Sequence, residues 1–437
     1  MARVFLSFLG TNDYLPCTYY YDMKEMLNVR FVQEASLSIW CRNWTSEDRV
    51  LIFTTSEAET KNWYDDGHIG RDGEPLRRKG LKKCIEELNL NARTEQIKIP
   101  SGQSESEIWE IFDVVLKQIR QEDEVIFDIT HALRSIPMLA IVVLNYAKVT
   151  HKVKLQGIYY GAFEVLGSIS EALKIPIENR RVPIFNLTPF DRLMEWAVAV
   201  DRFLVSGDAR LVSKIALDTL KPDLKESKGK DEVANSLKSV ANSLNVFSRN
   251  LSTCRGSKLE NAISRLKQDL NDCKNHPQLQ ALNPLLNLVK EEMSVFKNDF
   301  VSDGIKAAKW CFEHNLIQQG YTILQEFLIS HFIICINKDY MDKNLREIAS
   351  QAAKIHLMQY PSHTWHGAAQ KNPELTNEFI AFFKTQDKLL FKLFDKLSQL
   401  RNDLNHAGFR HNPLSAEPFE TELEKLILNV EKLISKE

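Results

Sequence analysis

Residues 401–406, with the sequence RNDLNH, have side chains that could cleave a phosphodiester bond. They lie near the end of a helical apolar pattern, and Gly408 is expected to terminate that helix. Asn402 and His406 are four residues apart and should share a helix face, with Arg401 on its flank. An imidazole can transfer a proton near neutral pH, and a guanidinium can hold a phosphate and its growing charge. Arg401, Asn402 and His406 are therefore the predicted catalytic residues.

The chemistry that these three residues favour is metal-independent cleavage of single-stranded RNA. The ribose 2′-hydroxyl would attack the adjacent phosphorus and leave 2′,3′-cyclic phosphate and 5′-hydroxyl ends, a reaction that DNA cannot undergo. A histidine near a helix end is also typical of a surface residue stabilised by the helix dipole. The spacing alone therefore leaves both interpretations open. His363 and His366 lack a third ligand, so we expect no metal site.

A second group of polar residues follows two predicted strands of the N-terminal half, where loops of a parallel sheet bind ligands. A glycine, hydroxyls, an amide, an imidazole and a guanidinium in these loops suit a phosphate ligand near a helix N-terminus. The predicted contacts are Gly10, Thr11, Asn12, Thr130, His131, Arg134 and Ser135. Ordinary turns, helix caps and surface ion pairs are the alternative for each residue.

At the end of another predicted strand, Tyr159 could stack on the ligand and Gly161 could donate a backbone hydrogen bond to it. A tyrosine that is simply buried is the simpler interpretation. There is no GxGxxG and no Walker A loop, so dinucleotide binding and NTP hydrolysis have little support. The predicted ligand is a different phosphate compound.

The elements that must position these residues change in type along the chain. Short β-branched runs alternate with helical patterns in the first half, as in a Rossmann-like α/β domain with a mostly parallel sheet. The predicted helices there are Ile108–Ile119 and Pro137–Val149. The predicted strands are Val4–Leu9, Val50–Thr54, Glu95–Ile99, Val125–Ile129 and Leu155–Tyr160. We predict this domain over residues 1–186 and an all-α domain over 187–437, with a possible helical insertion at about 210–300.

Within the second half, amphipathic stretches such as Leu193–Leu204 and Phe379–Leu400 predict long helices. Lys221–Lys238 could be a solvated helix or a connection. The helical pattern Ala308–Phe327 carries a polar stripe that could face the RNDLNH helix or water. Its members are Asn315, Gln319, Thr322 and Glu326.

The overall charge indicates that any RNA contact is local. The 437 residues include 56 Lys and Arg against 58 Asp and Glu, which gives no global positive field. Seven cysteines without a CxxC pair fit a reducing cytoplasm. The apolar run at the N-terminus is too short for a signal peptide or a membrane span, so we expect a cytoplasmic protein without membrane contact.

Several short stretches together resemble the CARF–HEPN effector ribonucleases of type III CRISPR systems. They are FLGTNDY, RFVQEA, DITHALRS, YYGAFE, LTPFDRLMEWA and RNDLNH. The resemblance implies that the N-terminal CARF domain binds a cyclic oligoadenylate and that two HEPN domains pair in a homodimer or larger oligomer. Related sequences often have glycine where this chain has Ala132, which bears on ring size and on any ring opening.

The resemblance therefore implies a ribonuclease of antiviral defence, activated allosterically by a cyclic oligoadenylate, with cyclic tetra-adenylate as the expected activator and no cofactor. Two alternatives remain open at this point. One is a nucleotide-sensing regulator that binds RNA or protein without cleaving, and the other is a sensor that also degrades its cyclic ligand.

Overall fold

Eight strands form a single sheet in the N-terminal unit, Met1–Arg192. In chain order they are β1 (Arg3–Leu9), β2 (Cys17–Tyr21), β3 (Lys24–Val29), β4 (Arg49–Thr54), β5 (Arg93–Lys98), β6 (Glu124–Asp128), β7 (Lys154–Gly161) and β8 (Arg181–Asn186). Their order in the sheet is β3-β2-β8-β7-β6-β1-β4-β5. The β2–β3 and β7–β8 pairs are antiparallel, and the remaining pairs are parallel.

The computed structural model describes residues 2–64, 67–70, 73–130, 136–273, 281–297, 299–409 and 411–434. The second compact unit is Leu193–Glu437. The domain boundary that we predicted after residue 186 coincides with the end of β8.

The central strands are apolar on both faces because helices cover both. Val4, Leu6 and Phe8 of β1 belong to a core with helix residues such as Phe112 and Leu144. The alternate residues Phe5 and Leu9 belong to a second core with helix residues such as Val32 and Leu81. A strand buried on both faces has a continuous apolar sequence, and this is why the central strands could be predicted from the sequence.

The helices of the first unit are α1 (Val32–Trp40), α2 (Ser56–Ala58), α3 (Leu81–Glu87), α4 (Glu105–Gln118), α5 (Ile136–Thr150) and α6 (Ile169–Ala172), and α7 (Thr188–Ser206) contains the boundary between the units. A π-helix occupies Glu59–Trp63, and short 3₁₀ helices occupy Phe163–Leu166 and Ile177–Asn179. The two helices predicted before and after β6 are confirmed as α4 and α5.

All five predicted strands are confirmed, with ends shifted by one or two residues. The sequence analysis missed β2, β3 and β8. The β3 strand is an edge strand with exposed residues such as Leu27, and β2 joins the sheet by pairing with the distant β8. Such strands lack the buried apolar run that identifies a central strand.

The second unit is helical. Its helices after α7 are α8 (Arg210–Glu226), α9 (Glu232–Ser252), α10 (Leu259–Asp272), α11 (Asn283–Met293), α12 (Phe300–Glu313), α13 (Ile317–Cys335), α14 (Lys343–Met358), α15 (Gly367–Lys371), α16 (Pro373–Phe383), α17 (Lys388–Asn405) and α18 (Glu417–Ile434), with 3₁₀ turns at Gly256–Lys258 and Ser362–Thr364. The predicted fold class, a Rossmann-like domain followed by a helical region, is confirmed.

One hydrophobic core joins the helices of this unit. Trp310 and Phe332 are buried in it, and so are Leu244 and Leu266 from the segment that we considered an insertion. The stretch Lys221–Lys238 forms the end of α8 and the start of α9. The segment 210–300 therefore contributes to the same core as the rest of the unit.

Two predicted helical stretches are interrupted. Phe379–Leu400 divides between α16 and α17, because the Asp387 side chain accepts a hydrogen bond from Leu389 N and starts a new helix. Ala308–Phe327 divides between α12 and α13 at Asn315, whose φ is 57°. Asn315 therefore belongs to a turn and not to the polar stripe of a helix.

Among the helices of the described residues, none is both long enough and apolar enough to cross a membrane.

Candidate ligand and phosphodiesterase sites

The topological switch point of the sheet lies between β1 and β6. After β1 the chain forms β2 and β3 at the far edge of the sheet, then adds β4 and β5 on one side of β1, and returns to the other side of β1 as β6. The loops that follow β1 and β6 therefore leave neighbouring parallel strands at the same sheet edge, where open α/β sheets bind ligands. The two polar loops predicted from the sequence therefore begin at this edge.

A chain of buried hydrogen bonds ties the strand ends together. Ser7 Oγ donates to Asp128 Oδ2 at 2.8 Å, and Thr130 Oγ1 donates to Asp128 Oδ1 at 2.5 Å. Gly161 N donates to Thr130 Oγ1 at 2.8 Å. The network therefore links β1, β6 and β7 directly below the edge.

Asp128 is buried and its pKa is raised, because burial disfavours the carboxylate more than the hydrogen bonds from Thr130 and Ser7 favour it. Gln33 on α1 completes the network, since its Nε2 donates to Ser7 Oγ at 3.1 Å and to Phe8 O at 3.0 Å. One local signal could have indicated this role, since Gln33 is a polar residue between the core residues Val32 and Ala35.

The loop after β1 is held by side chains that the sequence analysis missed. The fully buried Asn62 lies in the π-helix, and its Nδ2 donates to Gly10 O at 2.9 Å and to Asn12 O at 3.0 Å. Arg78 forms an ion pair with Asp13 of the same loop. No local sequence pattern marks Asn62, because its partners lie about 50 residues away.

The predicted ligand residues fall into three groups. Asn12 is exposed in the loop after β1, and Gly10 and Thr11 are partly accessible beside it. His131, Arg134 and Ser135, like Ala132, lie outside the described residues. The third group is Thr130, Tyr159 and Gly161, which the protein itself engages.

For this third group, the contacts argue against a direct ligand role. The Tyr159 ring is 7% exposed and stacks on Trp40 with 3.7 Å between ring centroids. The N–H of Gly161 is taken by Thr130, and an added Cβ would come within 2.6 Å of Val32. Gly161 thus allows close packing, and Thr130 anchors the start of the loop after β6.

In the helical unit, the RNDLNH segment ends α17. Asn402 and His406 are exposed, and His406 follows the last helical residue, with its N–H donating to Asn402 O at 3.0 Å. This i to i−4 bond keeps the two residues one turn apart. The predicted terminator is corrected: Ala407, with φ of 51°, takes the left-handed conformation first, and Gly408 follows with φ of 73°.

The polar stripe of α13 faces protein at Glu326. One carboxylate oxygen lies 2.7 Å from the Arg346 guanidinium of α14, and the other lies 3.7 Å from the Arg401 guanidinium of α17. Arg346 also donates to Ser330 Oγ and to the carbonyls of Tyr340 and Glu326. Arg346 is therefore firmly anchored, whereas the ion pair of Arg401 with Glu326 is looser.

Arg401 retains hydrogen-bonding capacity at a cavity. Its Nε is buried and has no hydrogen-bond partner among the described residues. Arg401 and Asn402 line a cavity of about 300 Å³ together with Lys354 and Gln325, whose amide donates to Ser398 Oγ at 3.0 Å. The lining also includes one carboxylate, Asp395, so the two cations Lys354 and Arg401 leave a net positive charge, which suits a phosphate group.

Asp403 shapes the loop beyond the RNDLNH helix. It is 3% exposed, its Oδ2 accepts a hydrogen bond from Leu414 N, and its carbonyl accepts one from Gly408 N. Asp403 thus fixes the chain on both sides of His406.

The residues that the structure describes contain no group of three His, Cys, Asp or Glu side chains that could hold a metal ion. His363 lies in the 3₁₀ turn Ser362–Thr364, and His366 precedes α15.

The chain thus combines a Rossmann-like domain, with polar residues at the switch point of its sheet, and a helical unit with a cavity lined by Arg401 and Lys354. Residues 4–164 match the family model for the CARF domain of the CRISPR system endoribonuclease Csx1. The CRISPR-associated protein MJ1674 of Methanocaldococcus jannaschii is 25% identical over 352 residues, which are 79% of this chain and 47% of that protein. The chain thus spans about half the length of this curated relative.

Residues 4–164 of the N-terminal unit thus form a CARF domain like that of Csx1, and the chain is similar to a CRISPR-associated protein.

Proposed function

We propose that this chain is a metal-independent, single-stranded RNA endoribonuclease of CRISPR antiviral defence that a cyclic oligoadenylate activates. The main support is the half-buried Arg401, whose Nε has no hydrogen-bond partner among the described residues. Arg401 and Asn402 line the same cavity, and His406 lies one helical turn beyond Asn402. Strand ends that meet at the switch point of a CARF domain support the sensing part of the proposal.

In the proposed reaction, the ribose 2′-oxygen forms a bond to phosphorus while the bond from phosphorus to the 5′-oxygen breaks. The 2′-hydroxyl loses its proton to a base and the departing 5′-oxygen gains one, and His406 is the residue suited to these transfers. Arg401 binds the non-bridging phosphate oxygens, whose negative charge grows in the transition state. Asn402 can hold the ribose or phosphate by hydrogen bonds.

The active arrangement is proposed to be a homodimer in which two RNDLNH segments face each other. Exposed Asn402 and His406 are available for such pairing. Cyclic tetra-adenylate is the proposed activator, and it would favour the active arrangement only through its higher affinity for that state. The proposed setting is the cytoplasm.

The test is cleavage of a fluorescent single-stranded RNA in EDTA, with and without cyclic tetra-adenylate. Arg401→Ala and His406→Ala should each abolish the stimulated cleavage, and Arg134→Ala should require more activator. Matched controls are Lys392→Ala, an exposed cation on the same helix, and His411→Ala, an exposed histidine in the following loop, and both should cleave normally.

If His406→Ala cleaves as well as the wild type, the catalytic assignment is wrong. If the wild type binds the cyclic ligand but cleaves no RNA, the protein is a regulator. Loss of intact cyclic tetra-adenylate during incubation would identify a sensor that degrades its ligand.

A further inference from the structure

A second cavity of about 360 Å³ is lined by Glu326, the residue that forms an ion pair with Arg401. Its walls come from five parts of the helical unit. They are the turn at Cys254–Ser257, Phe300 of α12, the α13 residues Thr322, Glu326, Phe327 and Ser330, the segment Tyr340–Met341, and Arg346 of α14. The volume is at the lower end of the roughly 300–1,000 Å³ found for small-molecule sites.

The lining of this cavity combines aromatic rings with arginines. Phe300 packs between Phe327 and Tyr340, with ring centroids 4.8 and 4.5 Å away. Phe327 is buried, whereas Phe300 and Tyr340 are partly accessible. Aromatic faces beside cations are how proteins hold single-stranded nucleic acid, because every base can stack and every phosphate attracts a cation.

The two arginines of the cavity differ in availability. Arg346 uses four hydrogen bonds to protein atoms and thereby fixes Glu326 and the carbonyl of Tyr340. Arg255 is exposed at the rim. We therefore expect Arg346 to form the floor of the site and Arg255 to reach a phosphate.

The position of the cavity links it to the proposed catalytic residues. Glu326 both lines the cavity and forms the ion pair with Arg401, so this side chain contacts both. An RNA strand whose scissile phosphate lies at Arg401 would place a neighbouring nucleotide here.

We propose that this cavity is a nucleotide subsite for single-stranded RNA, in which a base stacks on Tyr340, which Phe300 supports from behind, while Arg255 binds a backbone phosphate. The inference rests on the proposed function for its substrate class. It also gives a role to the segment 210–300, since residues Cys254–Ser257 form one wall of the subsite.

The test uses binding and not cleavage, so that it is independent of catalysis. A fluorescent 2′-O-methylated RNA cannot be cut, because its 2′-oxygen has no proton to lose, and its affinity is measured by anisotropy with cyclic tetra-adenylate present. The variants are Arg255→Ala, Arg255→Lys and Tyr340→Leu, and Arg249→Ala is the matched control because Arg249 is an exposed arginine of α9 that does not line the cavity.

Arg255→Ala should weaken binding and lower the slope of log affinity against log salt by about 0.7, the value for one phosphate contact on a single strand. Arg255→Lys should keep that slope. Tyr340→Leu should weaken binding by about 5-fold or more at an unchanged slope, since stacking on an aromatic residue is worth about 1–3 kcal/mol. Arg249→Ala should bind like the wild type.

Wild-type affinity and salt slope in Arg255→Ala would overturn the subsite even if Tyr340→Leu were misfolded, because Arg255 lies at the surface. Failure of the wild type to bind the methylated RNA would also overturn it. If the wild type binds this RNA with the predicted variant pattern but does not cleave unmodified RNA, the subsite stands and the ribonuclease proposal fails. If the wild type cleaves unmodified RNA but the Arg255 and Tyr340 variants bind the methylated RNA normally, the ribonuclease proposal stands and the subsite fails.

Discussion

Replacing Thr130 with valine should destabilise the CARF domain, because the hydroxyl of Thr130 links two strands. It donates to Asp128 on β6 at 2.5 Å and accepts from the Gly161 N–H on β7 at 2.8 Å. Valine has nearly the same shape but can form neither bond. The N–H of the buried Gly161 would then lose its acceptor.

The expected loss of unfolding free energy follows from these two bonds. A hydrogen bond to an ionised group contributes about 1.5–3 kcal/mol and one between neutral groups about 0.5–1.5 kcal/mol, so the loss should be about 2–4 kcal/mol. For a domain of this size, each kcal/mol corresponds to roughly 2–4 °C in melting temperature. The total shift should be several degrees or more.

The assay is thermal and urea unfolding of the full chain, with hydrogen–deuterium exchange of peptides from β6 and β7 to assign the loss to this domain. Thr130→Ser is the matched control, because it keeps the hydroxyl, and it should lie within about 1 kcal/mol of the wild type. Cyclic tetra-adenylate should bind the valine variant more weakly, since Thr130 starts one of the two loops at the proposed ligand site.

If the valine variant were as stable as the serine variant, with unchanged exchange in β6 and β7, the hydrogen-bond network would not stabilise the strand ends and this reasoning would be refuted.

Two further predictions concern single residues. Burial raises the pKa of Asp128, so the folded domain retains a proton that the unfolded chain releases near pH 4. The contribution of Asp128 to the unfolding free energy should therefore fall as the pH rises from about 4 through the raised pKa. Urea unfolding at several pH values should show this contribution in the wild type and not in Asp128→Asn, and an identical pH dependence in both proteins would contradict it. Ala407→Gly should raise the unfolding free energy by about 0.5–1 kcal/mol, because alanine at a φ of 51° is strained and glycine is not. Gly408→Ala should lower the unfolding free energy for the same reason. Calorimetry of both variants tests this, and destabilisation by Ala407→Gly would refute the strain at Ala407.

The sequence by itself determined the fold class, because hydrophobic periodicity is a local property. A strand that helices cover on both faces, such as β1, is apolar at nearly every buried position. Ser7 is the exception in β1, because its hydroxyl forms buried hydrogen bonds. Likewise the amphipathic pattern located the RNDLNH segment at the end of a helix. The sequence also placed the two polar loops correctly after β1 and β6, since parallel strands end at the same edge.

Only the tertiary structure decided which polar side chains belong together. Thr130 and Gly161 have ligand-like residue types, yet the fold places them where they hydrogen-bond to each other. Glu326 could have faced water, but the packing of α13 against α14 and α17 sets it between Arg346 and Arg401, 20 and 75 residues away along the chain. Side-chain partners at such separations depend on how elements pack, and no local periodicity records that.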